Sequence, residues 1–224
     1  MIMTGKLIAL DWRAVDMANR LALLICPLLI FFVGYITSQI LVVPFSIWVV
    51  LSYSTNPFYS EEKGELNNLF LTLPVKRRQI VAARYVFSLI LLLLGVLMGI
   101  AIMPVVRHFS NSMWWLSVES NIAIVAISVL LFAVFNLFMF PILFKLGYKK
   151  GKVWGLYLPA VVFIVIYFGY DIIMRVSDRN ITLDFLVFAG ENMLLVSGGV
   201  MLLAVLILLL SYRLSLRVYL RRDF

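Results

Sequence analysis

Few side chains in this sequence could carry out chemistry, and their spacing rules out most of it. Glu61 and Glu62 are the only adjacent carboxylates, His108 is the only histidine and Cys26 the only cysteine. A zinc site draws on several His, Cys or carboxylate ligands, so a metalloprotease built on the glutamate pair lacks its histidines. No G-x-x-x-x-G-K-S/T run occurs, so the chain has no phosphate-binding loop with which to hydrolyse ATP. Ion-coupled transporters keep carboxylates or histidines inside the membrane to carry the coupling. Here Glu119 and Asp171 fall only at the edges of apolar windows. What is left inside those windows is mildly polar. Ser46, Ser88 and Asn136 are candidates to line a pathway, although such residues more often bond a neighbouring helix. Gly95 and Gly99 form G-x-x-x-G, a spacing that lets helices approach closely, within one chain or between two.

The elements that must position these residues follow from where charge is absent. Of 224 residues, 64% are hydrophobic and 13% charged, about half the ~25% charged share of soluble domains. No Asp, Glu, Lys or Arg occurs in 21–60, 85–106, 120–144, 153–170 or 192–212. A helix needs about 20 apolar residues to cross a ~30 Å hydrocarbon core at ~1.5 Å per residue. The last four windows are each one span long, and the first is long enough for two. The expectation is an all-α polytopic membrane protein with six transmembrane helices, near 21–37, 40–56, 85–106, 121–144, 153–171 and 193–212. The first two are short, and each contains a proline, Pro27 and Pro44. Cys26 falls in the first of them, where it reads as a small core residue.

The net charge of +8 follows the membrane and not a nucleic acid. With the N-terminus inside, segments 1–20, 57–84, 145–152 and 213–224 hold 16 of the 19 Lys and Arg, and the outer side holds Arg107, Arg175 and Arg179. That bias places both termini in the cytoplasm of a multi-pass plasma-membrane protein.

Three segments outside the spans have patterns of their own. Over 1–20, Lys6, Arg13, Asp16 and Arg20 share one narrow helical face beside Leu7, Leu10, Ala14 and Met17, the pattern of an amphipathic helix on the inner leaflet. In 57–84, Ser60 can cap a helix whose first turn carries Glu61 and Glu62. Leu66, Leu69, Phe70 and Leu73 then recur at i, i+3, i+4 and i+7, and Pro74 closes the run. This short helix has no core in which to bury its stripe, so it needs a partner or the membrane surface. On the outer side, Trp114 and Trp115 suit an interfacial belt, and the apolar run 181–188 reads as a short element before the last span.

The stretch Glu61-Glu62-Lys63-Gly64-Glu65, the apolar stripe, Leu73-Pro74-Val75-Lys76-Arg77-Arg78-Gln79-Ile80-Val81 and Arg84-Tyr85 resembles the small permeases of the type-2 ATP-binding-cassette exporter family. In those proteins an acidic amphipathic helix leads into a Leu-Pro-Val, Arg, Ile-Val, basic-Tyr run entering the third span. The layout agrees: a surface helix, six spans, both ends inside and a longer outer segment before the last span. Lys76 departs from the Ser or Thr of the family pattern, at a position suited to a helix cap, so the departure bears on the local turn and not on the family. Size and general similarity look most like permeases that export amphipathic toxic peptides, such as phenol-soluble-modulin exporters, or that confer bacteriocin immunity.

The resemblance implies a single transmembrane domain over 1–224, working as two permease chains above two ATPase subunits. It implies that the helix at 60–73 is a coupling helix, with Glu61, Glu62, Glu65, Leu66, Leu69, Phe70, Leu73 and Arg77 at the ATPase contact. It implies further that this chain is not an enzyme and holds no cofactor, that ATP and Mg bind the partner ATPase, and that the cargo is amphipathic or hydrophobic. Two other readings compete. One is a membrane immunity or scaffold protein that sequesters a peptide without moving it, and the other is an ion-coupled secondary transporter. Co-purification with an ATPase subunit separates the export reading from both.

Overall fold

The computed structural model describes residues 17–36, 39–63, 77–109, 117–176 and 190–221. Apart from Ser117 and single turn residues at Asn192 and Arg221, all of these are helical. The α-helices are α1 (Met17–Ile36), α2 (Val42–Ser52), α3 (Asn56–Lys63), α4 (Arg77–Phe109), α5 (Val118–Val176) and α6 (Met193–Leu220). Among the described residues, three stretches are long and apolar enough to cross a bilayer, Arg77–Phe109, Val118–Gly151 and Met193–Leu220, and Ile25–Ile36 is a shorter apolar helix. At 33 residues, α4 is ~50 Å long, more than the ~30 Å hydrocarbon core, so its basic first turn can stand outside the bilayer. Most of the amphipathic segment 1–20, Trp114, Trp115 and the apolar run 181–188 lie outside the described residues.

Between Gln39 and Lys63 the chain is one helical rod made of four pieces. Tight 3-10 turns at Gln39–Leu41 and Tyr53–Thr55 flank α2, and the junction residues Leu41, Ser52, Tyr53 and Asn56 all keep right-handed helical φ and ψ. Pro57 is the cause of the second turn. It has no N–H to return to Tyr53, so the Asn56 N–H bonds Tyr53 O instead and the helix tightens locally. Sequence reading ends the second span at 56 and starts a separate helix at Ser60. The helix in fact begins at Asn56, and Ser60 lies within α3.

A different break divides α5. Gly147 has φ 75° and ψ −177°, a region open in practice only to glycine. In a continuous helix, positions 143 and 151 would lie ~12 Å apart. A Cβ on Gly151 would instead fall 3.1 Å from Leu143 Cα. The chain therefore folds back at Gly147, inside the basic segment 145–152 that the charge pattern marks as a turn. Gly147→Ala is expected to cost about 1–3 kcal/mol of stability, read as a lowered thermal midpoint in detergent. An unchanged midpoint would show that the turn is not held in this conformation.

Within lipid the apolar effect does not drive helices together, so close packing and hydrogen bonds must. α2 packs along α4, α6 along α5, and α1 against both α2 and α4. The Gly95/Gly99 pair makes the first contact possible. A Cβ on Gly95 would lie 3.0 Å from Ile47 Cα, and one on Gly99 2.6 Å from Ser46 Oγ and 2.9 Å from Val43 Cα. The G-x-x-x-G spacing is thus occupied by this chain's own α2. One buried cluster joins Ile47, Leu51, Phe58, Tyr85, Phe140 and Phe144, and a second joins Cys26, Ile30, Val50, Tyr53, Phe87 and Leu91. Cys26 is buried as expected, with Sγ 3.7 Å from the Tyr53 hydroxyl.

Candidate functional site

The densest polar chemistry gathers where α3, the start of α4, the Gly147 turn and the end of α6 meet. Because Asn56 starts the helix early, Glu61 comes round to face α4 and not solvent. Its Oε2 lies 3.2 Å from Arg84 Nη2, and the two side chains are only 11% and 4% exposed. The Arg84 guanidinium also stands 5.0 Å over the Phe58 ring, so one face of the cation rests on a π surface. One residue further on, Glu62 accepts a hydrogen bond from the Lys149 backbone N–H at 2.9 Å, and its other oxygen is 3.9 Å from Lys149 Nζ. The last turn of α3 is therefore tied to α4 by a buried ion pair and to the Gly147 turn by a more exposed one. Aromatic edges fill the space between: Phe58 on Phe144 at 5.0 Å, Tyr59 on Tyr148 at 5.1 Å and Phe144 on Tyr219 at 5.2 Å. A small hollow of about 140 Å³ remains, walled by Phe58, Glu61, Glu62, Phe144, Tyr148 and Tyr219.

Directly above this clamp a line of hydroxyls crosses three helices. Tyr85 OH lies 2.6 Å from Ser211 Oγ and 2.8 Å from Ser215 Oγ. Ser211 donates its one proton to Asn136 O at 2.9 Å. Each hydroxyl has a single proton, so Tyr85 must donate to Ser211 and accept from Ser215. The Asn136 side chain donates to Phe132 O at 2.9 Å and its Oδ1 accepts from Ser88 at 3.4 Å. α4, α5 and α6 are thus pinned together at one level by bonds that run in a single direction and polarise one another.

The residues expected from sequence distribute as follows. Glu61 is turned inward to Arg84, while Glu62 is half-buried at the turn. Arg77 Nη1 donates to Leu220 O at 3.2 Å, tying the first turn of α4 to the last turn of α6. Glu65, Leu66, Leu69, Phe70 and Leu73 lie outside the described residues. Ser46, Ser88 and Asn136, expected as pathway-lining, are all buried in helix contacts, and Ser46 Oγ shares its proton between Val43 O at 2.8 Å and Gly95 O at 2.7 Å. They act as packing groups, the bonding role common for such residues in lipid. Sequence reasoning gave no role to Arg84, Tyr85, Ser211 or Ser215. The i, i+4 spacing of the two serines on α6 was the available signal. Among the described residues no group of three or more His, Cys, Asp or Glu comes together to hold a metal.

No curated protein and no solved structure matches this chain. A family model does, that of the ABC-2 family transporter protein, over residues 6–220. That match takes in every helix described above, including both partners of the buried ion pair. Permeases of this family work with ABC ATPase subunits. The chain belongs to the ABC-2 transporter family and is a multi-pass membrane permease component of an ABC transporter.

Proposed function

We propose that the chain is the membrane half of an ATP-driven exporter of amphipathic or hydrophobic cargo, a toxic peptide among the candidates. In this reading it spans the bilayer six times with both termini in the cytoplasm. It pairs with a second permease chain and two ATPase subunits, and makes and breaks no bonds itself. ATP and Mg are bound and turned over on the partner. In this reading it is similar to the small permeases that export phenol-soluble modulins or confer bacteriocin immunity.

The observation that supports this reading best is the double tie on α3. The acidic-apolar segment 60–73 starts within that helix. Stretching the Glu61–Arg84 pair would leave a buried charge uncompensated, at a cost of about 3–5 kcal/mol. A push on α3 is therefore passed to α4 and, through Glu62, to the turn between the two arms of α5. An ATPase that moves this segment would move spans with it.

The test is capture of the ATPase subunit by the permease. Truncating an apolar interface anchor costs ≥2 kcal/mol, so Leu69→Ala with Phe70→Ala is expected to weaken capture by roughly thirtyfold or more. Glu62→Ala removes a half-buried carboxylate already bonded to Lys149, whose partly solvated ion pair is worth ~0–1 kcal/mol, and is expected to weaken it by about fivefold at most. Capture is normalised to folded permease by size-exclusion profile. Undiminished capture by the double alanine variant overturns the coupling role.

A further inference from the structure

The charge-free stretch of α6 ends at Tyr212. From Met193 to that point the helix spans ~30 Å at ~1.5 Å per residue, the thickness of the hydrocarbon core. It nevertheless runs on to Leu220, and Arg221 caps it with right-handed helical φ and ψ. These last two turns therefore stand at the level of the lipid headgroups. They carry Arg213, Arg217 and Arg221, all exposed. Spaced i, i+4 and i+8, the three fall within ~80° of one another around the helix axis. Arg213 lies seven residues beyond Leu206, and Arg217 seven beyond Leu210, so each sits two turns further along nearly the same line as a leucine that faces out of the bundle. Exposed Leu214 and Leu220 flank the arginines. Among the described residues none of the three guanidinium groups has an acid partner.

A row of guanidinium groups calls for phosphate or carboxylate, which each can hold by two parallel hydrogen bonds. This row continues a face that meets lipid, and a hydrophilic partner would leave the leucines beside it in water. The anion therefore belongs to the membrane surface. A choline phospholipid brings a cation with each phosphate, and the stripe has no acid to answer that cation. We propose that the Arg213–Arg217–Arg221 face of α6 is a binding site for anionic phospholipid headgroups, in the leaflet that this end of the helix meets. The arginine stems lie along the leucines and the charged heads reach the phosphates. The opposite face of the same turns bonds Tyr85 through Ser211 and Ser215 and sets Tyr219 on Phe144. Headgroup contact thus fixes the depth at which α6 offers those side chains to the rest of the bundle. The assignment is independent of the export reading.

The experiment measures lipid retained by the detergent-purified full chain, using native mass spectrometry during titration. The probes are dioleoylphosphatidylglycerol, dioleoylphosphatidylcholine and chainless glycerol 1-phosphate. A basic residue near an anionic surface is worth about fivefold in binding, so retention of phosphatidylglycerol roughly tenfold or more above phosphatidylcholine is expected. Arg213→Gln with Arg217→Gln is expected to remove most of that preference, and Arg213→Lys with Arg217→Lys, which keeps the charge, to retain most of it. Lys145→Gln with Lys150→Gln removes two exposed charges from the Gly147 turn and should leave the preference nearly intact. Phosphatidylglycerol should also raise the thermal midpoint of the wild type and not that of the glutamine double variant of the stripe. Equal retention of phosphatidylglycerol and phosphatidylcholine by the wild type overturns the proposal. So does an equal loss of preference in the two glutamine double variants, which would make net charge and not the stripe responsible. Glycerol 1-phosphate binding as tightly as the lipid would overturn the membrane assignment. Loss of ATPase capture in the stripe variant, with its phosphatidylglycerol preference unchanged, would assign the face to the ATPase instead.

Discussion

Arg84→Met is expected to destabilise the permease by about 3–5 kcal/mol, because it leaves the Glu61 carboxylate buried without its cation. Glu61→Gln, which strands the guanidinium instead, should cost a similar amount. Removing both charges together, in Glu61→Gln with Arg84→Met, should recover most of the loss, since a buried pair replaced by neutral groups of similar volume is often close to neutral. The pair is well suited to this test. Its oxygen and nitrogen are 3.2 Å apart and neither side chain is more than 11% exposed, so solvent screens little of the interaction. Thermal midpoints of the single and double variants in one detergent complete a double-mutant cycle. Additive losses would show that the two groups contribute separately and that α3 is not tied to α4 through them. If the double variant regains stability but the ATPase no longer drives transport, the pair serves transmission as well as folding.

Gly99→Leu should cost about 3 kcal/mol, the upper part of the range for overpacking. The obstacle is backbone: a Cβ at Gly99 already falls 2.9 Å from Val43 Cα, so no rotamer change on α2 relieves it. Gly95→Ala meets Ile47 Cα at 3.0 Å and should cost about 1 kcal/mol, the lower end of the same range. Among the described residues nothing lies within 4 Å of where a Cβ on Gly198 or Gly199 of α6 would go, so Gly198→Ala and Gly199→Ala should stay within about 0.5 kcal/mol of wild type. The contrast between the two glycine pairs is the measurement, taken as thermal midpoints of monodisperse protein. Comparable losses at all four positions would mean that the α2–α4 contact is not the tight one.

What could be read from sequence was whatever depends on one stretch of chain at a time. The charge-free windows 85–106 and 120–144 fall inside α4 and α5, and 192–212 falls inside α6 from its second residue on, because lipid demands an unbroken apolar helix. The basic cluster 145–152 holds the Gly147 reversal for the same reason. Contacts between distant stretches were not legible. Tyr85 meets Ser211 and Ser215 across 126 and 130 residues, and no local pattern records that pairing. Glu61 was misplaced for a more specific reason. Ser60 resembles a helix cap, which puts Glu61 in an exposed first turn. Pro57 was the better signal, since proline suits the first turn of a helix and shifts the start to Asn56. That shift of four residues turns Glu61 from solvent toward Arg84. Ser46, Ser88 and Asn136 drew attention as polar groups in apolar spans, but a polar group in lipid must first satisfy itself, and all three do so within the bundle.

The hydroxyl line has a consequence for how the protein is made. Its acceptors and donors on α4 and α5 emerge from the ribosome long before Ser211 and Ser215, which lie on the last helix. Until α6 arrives, the Tyr85 hydroxyl has neither of its partners, and an unsatisfied polar group in hydrocarbon costs several kcal/mol. The unfinished bundle is therefore held loose until its final helix is synthesised. A nascent chain that stalls or terminates before Ser211 leaves the Tyr85 hydroxyl without both of the serines that bond it in the finished bundle.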